Sequence, residues 1–166
     1  HLPETRIKRL SYNIMGFDGA AKQDGKNPIL TYLKESGADI LCLQEYSTVQ
    51  SSKHLSQKDV ERELKAYPYH RINTVGSGKG HTNKIACYSK FPILSSRILD
   101  YPSEYNGSVL YEIKIGEDTV TLINNHLESN KLTKADKVVY EDMLKSPEKE
   151  KVKSGARLLI RKLAEA

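Results

Sequence analysis

Apolar and polar positions follow two different periods along this chain, and the changes between them mark out its elements. From Arg6 to Ile14 apolar side chains at Ile7, Leu10, Tyr12 and Ile14 alternate imperfectly with polar ones, which predicts a strand buried mainly on one face. Asn27-Pro28 then supplies an N-cap followed by proline at the first helical position. Ile29, Leu30, Tyr32 and Leu33 form an apolar stripe, and Gly37 stops the helix. Ala38 to Gln44 is too short for a helix and continuously apolar at its centre, so it reads as a strand covered on both faces in a layered α/β protein. Ser56-Gln57-Lys58-Asp59 has the form of a capping box and opens a second helix through about Ala66, after which Tyr67 to Ile72 is tyrosine-rich and extended.

Three strands follow in close order: Ile85 to Ser89, Ile93 to Leu99 and Val109 to Ile115. In the last, Val109, Tyr111, Ile113 and Ile115 share a side. Gly116-Glu117-Asp118 turns the chain into Thr119 to His126, a hairpin strand whose one face carries Val120, Leu122, Asn124 and His126. From Thr133 the period becomes helical. It breaks at Ser146-Pro147 and resumes with Val152, Ala156, Leu159 and Leu163.

The length, 166 residues, suits one soluble domain or part of one, and the mean hydropathy of -0.57 agrees. No run of 18 apolar residues occurs, and the start at His1-Leu2-Pro3-Glu4 lacks a signal peptide's charged and apolar regions. The chain begins without Met and stops at Ala166 within a helical pattern, so it reads as a piece of something longer. Cys42 and Cys87 each lie in an apolar stretch, which predicts buried free thiols. With no CxxC pair or Cys/His cluster, neither a structural zinc site nor a disulfide framework is expected. Residues 1 to 130 carry 16 basic and 15 acidic side chains and residues 131 to 166 carry 10 and 6, so the formal charge of +5 sits mostly in the tail. Mixed signs at helical spacing there describe a solvated helix face, and nucleic acid is not favoured as a partner.

Three of the predicted strands end in Asn13, Glu45 and His126, an amide, a carboxylate and an imidazole. In α/β sheets ligands collect beyond strand ends, where the backbone stops pairing and side chains converge. Glu45 at the rim of an apolar strand suits a hard cation such as Mg²⁺, which would offset the cost of holding the charge there. The alternative is a glutamate that caps its strand and pairs with a lysine. Asn13 suits a metal-bound water or a substrate oxygen, or plain turn chemistry. His126, where an apolar strand gives way to Asn124-Asn125-His126-Leu127-Glu128-Ser129, suits a proton donor, or a structural ring bonded to a neighbouring carbonyl. Gly76-Ser77-Gly78-Lys79-Gly80 fails as a phosphate-cradling loop, since Gly and not Ser or Thr follows the lysine, and reads as a connector.

Four segments in this order resemble the endonuclease/exonuclease/phosphatase superfamily, the deoxyribonuclease-I-like phosphoesterases: Leu10-Ser11-Tyr12-Asn13, Ala38 to Glu45, Ile85 to Ile93, and Leu122 to Ser129. The resemblance covers about residues 6 to 130. It implies part of a four-layer α/β/β/α sandwich, a mixed sheet with flanking helices, and Mg²⁺-dependent hydrolysis of phosphate esters, with Mn²⁺ the alternative ion. It matches Glu45 to the family's metal-binding glutamate, Asn13 to the asparagine that positions metal and phosphate, and His126 to the histidine that donates to the substrate phosphate. A histidine at this place, where the abasic-site nucleases tend to have tyrosine, looks more like the phosphatase, phosphodiesterase and deoxyribonuclease-I-like branches.

The departure from the pattern is in the second half. The family's Gly-Asp-x-Asn strand end and final Ser-Asp-His have no counterpart here: no Asp has Asn two positions later and no Asp-His dipeptide occurs. The chain therefore looks like the N-terminal half of a domain. Its sheet lies in residues 6–130, and residues 131–166 form a charged helical segment leading to the missing half. Two expectations follow: the chain is catalytically inactive by itself, and an exposed sheet face favours self-association or pairing with a C-terminal fragment. A non-catalytic binding module on the same fold is the rival reading: the missing second-half motifs favour it for this chain, and the retention of Asn13, Glu45 and His126 favours the enzyme for the parent domain. Membrane contact is not expected of this chain. Its compartment is open between cytoplasm and an extracytoplasmic domain anchored upstream, as in bacterial relatives of this type.

Overall fold

The structure is a computed structural model that describes residues 6–19, 26–50, 54–78, 81–99 and 107–127. The chain divides into two units, His1–His126 and Leu127–Ala166, and every element below belongs to the first. The helices expected from Thr133 lie outside the described residues. No helix among those described is long and apolar enough to cross a membrane.

Two sheets carry the fold. The first has the order β1 (Arg9–Asn13), β2 (Ile40–Gln44), β4 (His81–Ser89), β3 (Tyr69–Gly78), with β1 and β2 parallel and the other neighbours antiparallel. The second is the antiparallel meander β5 (Ile93–Leu99), β6 (Gly107–Ile115), β7 (Asp118–His126). The parallel step from β1 to β2 needs a crossover, which α2 (Pro28–Glu35) supplies. Asn27 caps it as its sequence predicts, accepting from the backbone N–H of Leu30 at 3.0 Å. Gly37 closes it with a φ of 66°, a value glycine adopts without strain. The capping box at Ser56 is also present, and α3 (Gln57–Glu63) ends three residues before Ala66.

All five residues of β2 are buried. Because side chains alternate along a strand, Leu41 and Leu43 face Leu30, Leu33, Val60 and Tyr88 in the helix-side core. Ile40 and Cys42 face Ile85, Cys87, Val109, Tyr111 and Ile113 between the sheets. Both thiols are buried and free, as the sequence predicts. Helices, first sheet and second sheet make three of the four layers expected.

Three features differ from the sequence reading. Among the described residues β1 is an edge strand and mostly exposed, and of its side chains only Leu10 packs against the helix-side core. β3 runs through the glycine-rich segment to Gly78, with a register shift between Val75 and Ser77, so those glycines form a bulged hairpin arm and not a connector. Last, the chain already contains three strands of the facing sheet, which cover the inner side of β2, β3 and β4. Among the described residues nothing covers the inner side of β1, where Arg9 and Ser11 are exposed.

Gly107 lets the two sheets approach closely, for a Cβ there would overlap the side chain of Val75. Gly107→Ala is expected to destabilise the fold by about 1–3 kcal/mol, the usual cost of overpacking, read as a lowered urea midpoint. Tyr111 is fully buried, and its hydroxyl meets no hydrogen-bond partner among the described residues. Tyr111→Phe should therefore be neutral or stabilising by up to about 1–3 kcal/mol.

Asp39 ties the start of β2 to its neighbours, accepting from the Lys8 backbone N–H at 2.9 Å and the Lys90 ammonium at 3.1 Å. The Lys8 bond, then the Lys90 bond, hold its carboxyl below the usual carboxylate range. A depressed folded pKa stabilises above the unfolded value and is lost as pH falls through the folded one. The stability deficit of Asp39→Asn relative to the native chain should accordingly be present at pH 7 and shrink below about pH 4, followed by thermal unfolding across pH.

Candidate active site

Because β1 and β2 are parallel and register Asn13 against Gln44, their C-terminal ends reach the same edge of the first sheet. β7, from the second sheet, ends there too. The three residues singled out in the sequence therefore meet. The Asn13 side-chain amide donates to Glu45 Oε1 at 2.8 Å, and His126 Nε2 lies 3.2 Å from the same oxygen. The Glu45 side chain is 39% exposed and that of His126 12%. Both hydrogen bonds fall on Oε1, and among the described residues no hydrogen bond or ion pair reaches Oε2.

The backbone leaves this edge by an unusual path. Glu45 has a φ of 51°, and Met15, Gly16, Phe17 and Asp18 have φ between 47° and 63°, so the one-turn α1 (Met15–Gly19) is wound with the left-handed sense. Only Gly16 adopts this freely; each of the others costs roughly 1–2 kcal/mol. Several contacts offset that cost. Asn13 Oδ1 accepts from the Met15 N–H at 3.1 Å, the Gly16 N–H donates to the Glu45 carbonyl at 2.8 Å, and the Asn27 amide donates to the Phe17 carbonyl at 2.9 Å. Phe17 itself is fully buried, edge-on to Tyr46 with ring centroids 5.5 Å apart. Asn13 thus carries out the turn chemistry its sequence position allows through Oδ1, and through Nδ2 it also orients the Glu45 carboxylate, a contact its position alone does not express.

Glu45 is also fixed from both sides along the chain. Tyr46 points into the helix-side core and bonds Gln57 Oε1 at 2.6 Å and the Tyr88 hydroxyl at 2.8 Å. Burial pushes the Tyr46 phenol far above its ordinary range, so it stays protonated and donates. Gln44 points the other way, between the sheets, and bonds Asn124 Oδ1 at 2.6 Å. The sequence reading did not assign Gln44 or Asn124 a role. The available signal was an amide on the apolar face shared by Val120, Leu122 and His126. Of the other histidines, His70 stacks on Tyr88 at 5.0 Å near Glu61, away from the strand ends.

The family model for the endonuclease/exonuclease/phosphatase family matches residues 10–150, most of the chain. The chain belongs to this family. Among solved structures it is similar to an endonuclease/exonuclease/phosphatase from Beutenbergia cavernae, at 15% identity and a TM-score of 0.58 over 79% of this chain and 41% of that one. It is also similar to TDP2 from Caenorhabditis elegans, at 24% identity and a TM-score of 0.45 over 85% of this chain and 44% of that one. The chain spans less than half the length of either. No curated protein matches it. Family membership brings with it a deoxyribonuclease-I-like α/β fold and the architecture of a phosphoesterase or nuclease-type hydrolase.

The left-handed backbone at Glu45 makes a prediction separable from its carboxylate. Glu45→Gly should be more stable than Glu45→Ala by about 1 kcal/mol, because both lack the carboxylate and only glycine takes this φ without strain. Equal melting temperatures would contradict the strain.

Proposed function

We propose that the domain to which this chain belongs is a divalent-metal-dependent hydrolase of phosphate esters in which Asn13, Glu45 and His126 act on the metal and the substrate phosphate. The supporting observation is that an amide and an imidazole, 32 and 81 residues from Glu45 in sequence, converge on one oxygen of its carboxylate. Members of the family commonly use divalent metal ions. The donor chemistry present fits such an ion: a partly exposed carboxylate with Oε2 unengaged suits Mg²⁺, which is held by one or two carboxylates together with waters and substrate phosphates. We assign Mg²⁺, with Mn²⁺ the alternative. No group of three or more His, Cys, Asp or Glu side chains gathers among the described residues, so Glu45 supplies only part of the coordination.

When bound, the ion would neutralise phosphate oxygens and stabilise the charge that develops on them. Asn13 acts by fixing the carboxylate through Oε1, and Glu45 would hold the ion. His126 brings Nε2 to the same edge, where it donates a hydrogen bond or a proton to a phosphate oxygen. The family's water-activating Asp/His pair has no counterpart in this sequence. On this reading the chain is inactive until the rest of the domain is added. The outer edge of β7, unpaired among the described residues, and the open side of β1 beneath it are where we place that remainder, or a second copy.

Hydrolysis of a chromogenic bis-phosphodiester tests this, comparing the chain with a form extended by about another hundred residues, the rest of a typical domain. The expected outcome is Mg²⁺-dependent activity in the extended form alone, abolished by chelation and by Glu45→Ala and lowered about 10²–10⁴-fold by His126→Ala. A well-folded extended form that is silent on every phosphate ester would instead establish a binding module.

A further inference from the structure

We propose that Gln44 and Asn124 form a clasp between the two sheets that positions Glu45 and His126 for the reaction, an inference that rests on the phosphoesterase reading above. Glu45 follows the last residue of β2 in the first sheet and His126 ends β7 in the second, and among the described residues no hydrogen-bond ladder joins the two sheets. Apolar contact between the sheets sets their spacing but leaves sliding cheap, since dispersion and hydrophobic burial are not directional. A polar bond across the gap is directional. Gln44 precedes Glu45 directly and Asn124 lies two residues before His126, so a fixed distance between the amides fixes the ends that follow them.

The contacts are all at the site end of the strands. Gln44 Nε2 donates to Asn124 Oδ1 at 2.6 Å and also lies 3.1 Å from Ser11 Oγ and 3.2 Å from the Cys42 carbonyl. Asn124 Nδ2 donates to the Ala86 carbonyl at 3.2 Å. One pair of side chains thus ties β7 to β1, β2 and β4 together. Both are buried, at 6% and 2% exposure. For stability alone amides are a poor choice at such a place: an apolar pair of the same shape is close to neutral or better, whereas either amide left unpartnered costs about 1–3 kcal/mol. What the amides supply is register. A one-residue slip of β7 would turn His126 to the opposite face of its sheet.

The experiment uses the extended, active domain with Gln44→Met, Asn124→Leu and the double variant. Val60→Ala, in the helix-side core, serves as a destabilised control, and Ser11→Ala, at an exposed residue, as a mild clasp variant. Each clasp single is expected to lower kcat by about 10–100-fold, the usual effect of losing support behind a metal or reacting group, with KM little changed. The double should be no worse than the poorer single, and Ser11→Ala should show a smaller loss in the same direction. Val60→Ala should lower the melting temperature and leave kcat of the folded fraction intact. Clasp variants that behave as Val60→Ala does would overturn the proposal while leaving the phosphoesterase reading standing. If the native extended domain hydrolyses nothing, that reading fails by itself, and the clasp is decided by the NMR signal of the His126 ring. A displacement in Gln44→Met and Asn124→Leu but not in Val60→Ala supports it, and an unmoved signal in all three overturns it.

Discussion

A five-residue strand that is apolar on both faces cannot sit at the surface of anything, and β2 imposes this constraint on the rest of the unit. It must be covered twice. Helices α2 and α3 close over Leu41 and Leu43, and the second sheet closes over Ile40 and Cys42. Only the strand's end is free of both covers, and there the sequence places Glu45, whose charge would cost several kcal/mol in either core. The site sits where the two covers stop, so its location follows from the burial of the strand.

Placing a carboxylate there has its own cost, taken in the backbone. The two neighbouring exits from the parallel strands are both left-handed, and the Gly16 to Glu45 hydrogen bond joins them. Such strain persists only where surroundings over-determine it, here Phe17 and Tyr46 in the core and Asn13 at the turn. The same contacts that hold the strained loop hold the carboxylate, and rigidity at the site is the joint result.

Much of this was legible in the residues. The caps at Asn27 and Ser56, the doubly covered β2, the Ile93–Leu99 strand and the meeting of Asn13, Glu45 and His126 depend on local pattern or on strand ends, which sequence expresses directly. What was not legible depends on neighbours. Nothing in Arg6 to Ile14 says that β1 lies at an edge, since the period of an edge strand is that of a central one. The glycines of residues 76–78 read as a break because glycine signals both loops and bulges. The pattern from Ile93 onward predicts strands, but that they fold back to cover the first sheet is a fact of topology. Gln44 and Asn124 passed as ordinary polar residues because an amide buried with a partner has the same letter as one in water.

The order in which these pieces lie along the chain has a consequence for how the molecule comes into being. β3 with β4, β5 with β6 and β6 with β7 pair with their immediate successors, contacts a growing chain can make as soon as it is synthesised. The site is different, for it draws on the first strand, the second and the last of those described, and closing it requires loops of 32 and 81 residues. No hairpin intermediate holds two of its three groups together. The Asn13 contact needs only the first two strands, whereas the full convergence on Glu45 arises only once the chain has been made through His126.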